Sequence, residues 1–475
     1  MSVAPPELAI PEATGHAQPG SSWKKVPFFR SVQFAVLIAG LVTFSAPGMF
    51  DAMGNLGAGG AAEPYAVNAA NALVYGLMVI FCITAGGLIN VIGLKWALVL
   101  GTVGYPLYSA GLYTNSYSSN TWFLLFGSAF CGISAGFFWA AEATVYIGYP
   151  EPGEKGRYLA QWAFWKNLAP AIGGAVNLGV NVSTNQTGAI SRPTYIVFIV
   201  IMCLGFPISM FLPSPQRVMR KDGTNVPSLA GKGVVHEIWA VLRLLKEKKI
   251  LFLLPAFISS YFYLAYQSNY LGLHFTVRTR ALSSLVAPFA GIISSYAMGY
   301  FLDQRQIPVR TRGAIVLGIL FVMEMGVWIW ATVMQHEFDT KNMTIDWSSK
   351  DFGRAWTLVF FWTFIGQALQ NYLYWVISHF ATDINALSRY AGLFRSMEAL
   401  GQTIGWAIAS NASISPYALI GLNFGGLFVA FISATPIVLS LVESDIDSAG
   451  AFGVDSRGKV DGDGEASVDP AIARA

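Results

Sequence analysis

The stretch Gly313–Gln335, GAIVLGILFVMEMGVWIWATVMQ, runs for 23 residues with a single charge, Glu324. At about 1.5 Å rise per residue, a helix of that length crosses the roughly 30 Å hydrocarbon core of a bilayer. A helix on a soluble protein keeps one polar face, and this one has none. It reads as a membrane span. Eleven more apolar runs follow the same rule, near 31–50, 65–89, 94–113, 121–147, 157–181 and 194–212 in the first half of the chain. The second half adds 250–272, 281–302, 355–379, 390–411 and 416–442. A β-barrel would show short alternating segments instead of these continuous runs. The expected fold is therefore all-α and polytopic, with about twelve spans.

Composition agrees. Over 475 residues the chain is 54% hydrophobic and 12% charged, with a mean hydropathy of +0.51. Soluble domains run near 25% charged, so the charges here are expected in loops. A net charge of +3 over this length makes no basic face, which excludes nucleic acid as a partner. Cys82, Cys131 and Cys203 all fall inside apolar runs and read as small core residues rather than disulfide or metal ligands.

The longest internal break, 213–249, opens with Pro213 and Pro215 and is rich in Lys and Arg. It divides the spans into six plus six, the plan of transporters built from two related bundles. The resulting organisation is a disordered tail at 1–30, a six-helix bundle at 31–212, a linker loop at 213–249, a second six-helix bundle at 250–442 and a disordered acidic tail at 443–475. With the N-terminus in the cytosol, 22 of the 29 Lys and Arg residues lie on the cytosolic side, six lie outside and Lys166 lies within a span. This is the positive-inside pattern. The four N-x-S/T sequons, at Asn181, Asn185, Asn342 and Asn411, all fall on the outer side, and Asn342 has the most room for a glycan. Either a plasma membrane or a vacuole-type endomembrane satisfies this topology.

A shift of 232 residues lays part of one half on the other. Arg157-Tyr158, Lys166 and Ile172-Gly173 fall on Arg389-Tyr390, Glu398 and Ile404-Gly405. The stretch Gly299-Tyr-Phe-Leu-Asp303 with Arg310 and Arg312 is similar to the short cytosolic-loop motif of the major facilitator superfamily; Asn90 stands where the first-half copy would have its acid. Three further stretches resemble the "uncoordinated ninety-three" family of ion-channel regulatory proteins, in its fungal-type branch. They are Pro47-Gly-Met-Phe50 running into Gly54-Asn-Leu-Gly57, Tyr149-Pro-Glu-Pro-Gly-Glu-Lys-Gly-Arg157, and Arg278-Thr-Arg-Ala-Leu282. The resemblance covers about residues 32–442. It implies a facilitator-like fold and membrane residence, with either a transporter-like role or a role as regulator or trafficking partner of another membrane protein.

No enzyme constellation emerges. There is no G-x-x-x-x-G-K-S/T loop, no H-E-x-x-H, and the five histidines are scattered, so no cofactor, metal or catalytic residue is expected. The glycine-rich stretch Gly54–Gly60 reads as a flexible turn. The informative residues are charges deep in spans, which usually face a cavity or a partner. Glu142, Lys166, Glu324 and Glu398 qualify, while Arg395 stands near enough to the cytosolic end to snorkel. Salt bridges between helices account for these charges as readily as a solute site does. Gln367, Gln370, Asn371 and Tyr374 follow i, i+3, i+4, i+7 and share one helix face, expected to line a polar cavity. Asn68, Asn71 and Tyr75 do likewise, and Gly127, Gly132 and Gly136 read as a packing stripe. Lys166 is expected to pair with Glu142 within its half and with Glu398 across the halves, as a cytosolic-side gate. Two functions follow from these readings: secondary transport of a small solute or ion by alternating access, or regulation of a channel or other membrane protein.

Overall fold

The computed structural model describes residues 26–61, 64–149, 155–183, 186, 188–221, 226, 233–302, 304, 306–380 and 384–441. Among these residues the structure is helical throughout, with two isolated β-bridges, Ser31 to Met219 and Phe275 to Ile345. The first half holds α1 (Val32–Ser45), α2 (Pro47–Gly54), α3 (Tyr65–Ile92), α4 (Leu94–Ser118), α5 (Thr121–Gly148), α6 (Lys155–Asn181) and α7 (Arg192–Ser209). A short helix, α8 (Val234–Leu244), precedes the second half. That half holds α9 (Lys248–Ser259), α10 (Tyr263–His274), α11 (Val277–Leu302), α12 (Val309–Lys341), α13 (Phe352–Ser378), α14 (Ile384–Ala409) and α15 (Pro416–Leu439).

Twelve membrane-length units result, because α1–α2 and α9–α10 are each one broken span. The first break sits at Ala46–Pro47, where proline supplies no N–H to continue the ladder and serves as the first residue of α2 instead. The second falls at Ser260–Phe262 and turns Tyr261 inward. Helix starts follow ordinary capping: Ser31 Oγ accepts from the Phe34 amide at 3.1 Å, and Asn120 Oδ1 from Phe123 at 3.1 Å. Among the described residues, eight stretches are apolar enough to cross a membrane by length and composition alone. The other four spans, α4, α6, α13 and α14, are 25, 27, 27 and 26 residues long. Polar side chains lower their apolarity, and in α6, α13 and α14 several of those face the centre of the molecule.

The glycine stripe of α5 packs as expected. A Cβ on Gly127 would strike the Leu107 carbonyl, on Gly132 the Val74 carbonyl and on Gly136 the Phe81 side chain, so α5 sits directly on α4 and α3. The second half is held by an aromatic core in which Trp362 meets Tyr266 at 5.5 Å and Trp328 at 5.6 Å. Cys131 is buried, whereas Cys203 is exposed on the outer face of α7; a small residue there meets lipid rather than core.

The segment expected as a loop, 213–249, contains α8. Ile238, Val241 and Leu245 fall on one face, and the helix packs against α3 and α14. Arg389 fixes it, donating from Nε at 3.0 Å and Nη2 at 3.1 Å to the two carboxylate oxygens of Glu237. We call this the linker side of the molecule and the opposite one the distal side. The tails expected at 1–30 and 443–475 lie almost wholly outside the described residues.

Candidate functional site

A cavity of about 190 Å³ lies between the halves. The wall is formed by α2, α3, α4, α5 and α6 on one side, and by the α9–α10 break, α10, α11, α13 and α14 on the other. Four charged residues line it: Asp51, Lys166, Arg395 and Glu398. Arg395 Nη1 donates to Glu398 Oε1 at 2.7 Å, and Gln370 Nε2 donates to Glu398 Oε2 at 2.9 Å. The Arg395 guanidinium also lies 4.7 Å from the centre of the Trp139 ring. Arg395 therefore does not snorkel: its i, i+3 carboxylate and the indole face hold it in the cavity. Lys166 lies within electrostatic range of Arg395, Asp51, Glu398 and Glu142.

The polar stripe of α13 divides. Gln367 and Gln370 line the cavity, and both accept from the Tyr261 hydroxyl at 3.2 Å. Asn371 accepts from Gln367 Nε2 at 3.0 Å and donates to Ser295 Oγ at 3.0 Å, so it ties α13 to α11. Tyr374 packs edge-on against Phe394 at 4.9 Å and does not line the cavity. Asn71 and Tyr75 do line it, and Asn71 Oδ1 accepts from Tyr108 OH at 2.6 Å.

Two of the expected candidates stand apart. Glu142 is buried behind the wall and accepts from the Thr43 hydroxyl of α1. Glu324 is buried in α12 and accepts from Trp328 Nε1 at 3.1 Å, one turn along the same helix. Each carboxylate has a local partner, which is why neither reaches the cavity. Glu398 has its ion pair within α14, and the expected Lys166–Glu398 pair is not the one formed.

Sequence reading missed Asp51 and Arg280. Asp51 fell one residue beyond the expected end of the first span, yet α2 carries it into the cavity. Arg280 was expected in an outer loop, but α11 begins four residues earlier than the apolar run, and the side chain is completely buried. It donates to four backbone carbonyls of the other half: from Nε to Leu56 at 2.8 Å, from Nη1 to Gly188 at 2.9 Å, and from Nη2 to Gly57 at 2.8 Å and Ala61 at 3.0 Å. Gly57, Gly59 and Gly60 have φ of 69°, 53° and 82°, the left-handed region that glycine adopts without strain. The supposed flexible turn is an ordered cradle of carbonyls.

More cross-half bonds close the distal side. Ser284 Oγ donates to Ala52 O at 2.8 Å, Val277 N to Gln186 O at 2.9 Å, and Asn68 Nδ2 to Asn269 Oδ1 at 2.6 Å and Ala409 O at 2.9 Å. Toward the linker side, Ser396 Oγ donates to Val79 O at 3.1 Å. The cavity is thus sealed distally by main-chain oxygens. Beside this seal, Arg278 and Thr276 bind Asp346, with Arg278 Nε at 2.7 Å, and hold its carboxyl well below the usual carboxylate range.

Among the loop-motif residues, Gly299 and Arg310 are exposed, and Arg312 is buried and donates to the Leu302 carbonyl at the end of α11. Asp303 lies outside the described residues. Of the sequons, Asn342 and Asn411 are exposed, and Asn185 lies outside the described residues. Asn181 is fully buried, with Nδ2 donating to Asn177 at 2.9 Å and to Thr194 Oγ1 at 2.8 Å; a glycan acceptor cannot sit there.

Twelve helical spans in two halves around a central cavity define a multi-pass membrane protein with the fold of facilitator-type transporters. The structure is similar to a D-xylose-proton symporter, with a TM-score of 0.58 and 13% identity over 87% of this chain and 99% of that one. It is similar to a POT family transporter solved with a thioalcohol-conjugated peptide, with a TM-score of 0.58 and 13% identity over 85% and 95%. Residues 59–323 match the family model described as Ion channel regulatory protein UNC-93. Notoamide biosynthesis cluster protein O' of Aspergillus versicolor is 37% identical over 415 residues, 87% of this chain and 89% of the relative. UNC93-like protein 1 of Arabidopsis thaliana is 30% identical over 398 residues, 82% and 85% of the two chains. The chain belongs to the UNC-93 family.

Proposed function

We propose that the protein is a secondary transporter that moves a small polar organic solute by alternating access. The observation that carries this reading is the cavity itself, which both halves line and which holds two acids, two bases and several amides. Intramembrane charges are costly, and a cluster facing a shared cavity is the usual mark of a substrate path. The cross-half bonds concentrate on the distal side, as one conformer of an alternating-access cycle requires. Lys166, Glu398, Gln367 and Gln370 are the contact residues in this proposal, with Asp51 and Arg395 added. Glu142 ties α5 to α1, and Glu324 is satisfied within α12.

The linker and both tails face the cytosol in this reading, and Asn342 faces outside or the lumen; the distribution of Lys and Arg supports it. One of the 22 residues assigned to the cytosolic side, Arg395, belongs instead to the cavity. The chain acts without catalysis or cofactor. Purified protein in liposomes loaded with a total metabolite extract tests transport: selective loss of one or more polar compounds supports it. Retention of every compound, in liposomes whose protein is monodisperse and correctly folded, sinks it.

A second reading, regulation of a channel or other membrane protein, draws on the family's description as ion channel regulatory proteins and on Asn90 in place of the loop acid. A stoichiometric membrane partner co-purifying with the full chain, together with no flux in liposomes, favours that reading.

A further inference from the structure

The charges of the cavity do not all serve one another. Arg395 and Glu398 form an ion pair, and Gln370 takes the second carboxylate oxygen. Lys166 has a partner of its own. The Asp51 carboxylate makes no hydrogen bond or ion pair among the described residues, although it sits within the first span and lines the cavity. An intramembrane carboxylate without a hydrogen-bond donor is a costly arrangement unless something comes to it.

The surroundings of Asp51 indicate what that is. Tyr75, Tyr105, Tyr261 and Tyr263 lie within its electrostatic range, and all four line the cavity. Phe50, its neighbour in sequence, packs against Tyr108 at 4.9 Å and Tyr105 at 5.9 Å, and both tyrosines are in the wall. Aromatic faces carry negative potential and attract a cation, while they repel an anion. A carboxylate in a cavity lined by aromatic rings is suited to an organic ammonium group. The two acids of the lining balance its two bases, so no excess positive charge awaits an inorganic anion.

A second, independent feature lies in the same cavity. Gln267 Oε1, Gln402 Oε1 and Trp406 Nε1 are buried without a hydrogen-bond partner, on residues 3%, 4% and 5% exposed. Gln402 and Trp406 are one turn apart on α14, and Gln267 belongs to α10. Together they offer two acceptors and one donor to a group able to use both.

We propose that the cavity binds a compound carrying a protonated amine, its ammonium at Asp51 among the tyrosine rings, and a hydroxyl or amide that meets Gln267, Gln402 and Trp406. Lys166 and Arg395 lie within electrostatic range of Asp51 without bonding it, and the arriving amine supplies the donor that neither gives. This inference rests on the reading of the cavity as a solute site.

The test is calorimetric titration of the full-length protein in detergent with four probes of one skeleton: tyramine, phenethylamine, 2-phenylethanol and phenylacetate. Tyramine is expected to bind best, phenethylamine more weakly and phenylacetate not at all. Asp51→Asn should weaken tyramine roughly 10- to 100-fold, the loss expected for one charge-assisted contact. Gln402→Leu should bring tyramine down to the level of phenethylamine. Tyr75→Leu leaves every charge in place and should weaken both amines several-fold, which keeps the test open if Asp51→Asn does not fold. Equal or tighter binding of phenylacetate, unchanged affinity in Asp51→Asn or in Tyr75→Leu, or no binding by any probe overturns the inference. Amine binding without flux in liposomes would overturn transport alone; flux of some other solute without amine binding would overturn only the amine.

Discussion

Replacing Arg280 by Met should open the distal side. In the closed conformer one guanidinium satisfies carbonyls of Leu56, Gly57, Ala61 and Gly188. A thioether of similar length keeps the packing but strands those four oxygens, and an unmet buried acceptor costs about 1–3 kcal/mol. If water reaches two of the four once the seam loosens, the remaining two raise the closed conformer by about 2–6 kcal/mol relative to the open one. At about 1.4 kcal/mol per tenfold, a closed-to-open ratio of about 100:1 falls to between roughly 4:1 and 1:200. Arg280→Lys should lie between the two, because a single ammonium cannot span four acceptors. The assay is the labelling rate of Ser268→Cys, in a background without Cys82, Cys131 and Cys203, by a membrane-impermeant maleimide added from the distal side. Ser268 is buried beneath Gly57. The rate should rise at least about tenfold in Arg280→Met. Wild-type labelling in a variant that elutes and melts normally would refute the assignment of Arg280 as the distal latch.

The other predictions concern the linker, the cradle and the topology. Glu237 has its carboxyl held below its ordinary value of 4.5, chiefly by hydrogen bonding to Arg389, so the pair stabilises α8 docking above that value and fails as pH falls through the lowered one. Limited proteolysis of the linker should accelerate on acidification below pH 4.5, and Glu237→Gln should cleave fast even at neutral pH. Gly57→Ala places a Cβ 2.9 Å from the Ser268 carbonyl at a φ of 69°, which should destabilise the seal by roughly 1–3 kcal/mol and lower the melting temperature. Gly54→Ala, with open space around it, should melt like wild type. A tag inserted near Asn225 should be cut by protease added to the cytosolic face and protected in vesicles of opposite orientation; the reverse pattern would invert the topology. A gel shift lost in Asn342→Gln would mark the outer face.

Most of the fold was legible because a membrane span is a local property. Twenty apolar residues declare themselves without reference to the rest of the chain, and the expected spans fall within a few residues of the helices. The 11-residue α8 escaped because its apolar face is only three residues wide and a cationic stretch surrounds it. Intramembrane charge was legible at Glu142, Lys166, Glu324 and Glu398, since each interrupts an apolar run, but the bonds from Thr43 to Glu142 and from Gln370 to Glu398 were not. Thr43 lies 99 residues from Glu142, and no periodicity links them. Asp51 and Arg280 were hidden by their places at run ends, where charges ordinarily belong to the interface. Arg280 was doubly hidden: its partners are carbonyl oxygens, which every residue owns and no sequence motif marks.

That choice of partners has a consequence for how the protein can diversify. An ion pair binds two side chains together, so neither changes without the other. The seal around Arg280 instead reads the path of the backbone from Leu56 to Ala61, and a substitution in that loop keeps every acceptor as long as the glycine turns and the local packing survive. The loop and the cavity below it are thereby uncoupled from the closure. Under the proposed transport function, side chains that meet the solute can drift toward a new compound while the lid, fixed by one arginine and a few glycines, goes on closing over whatever they select.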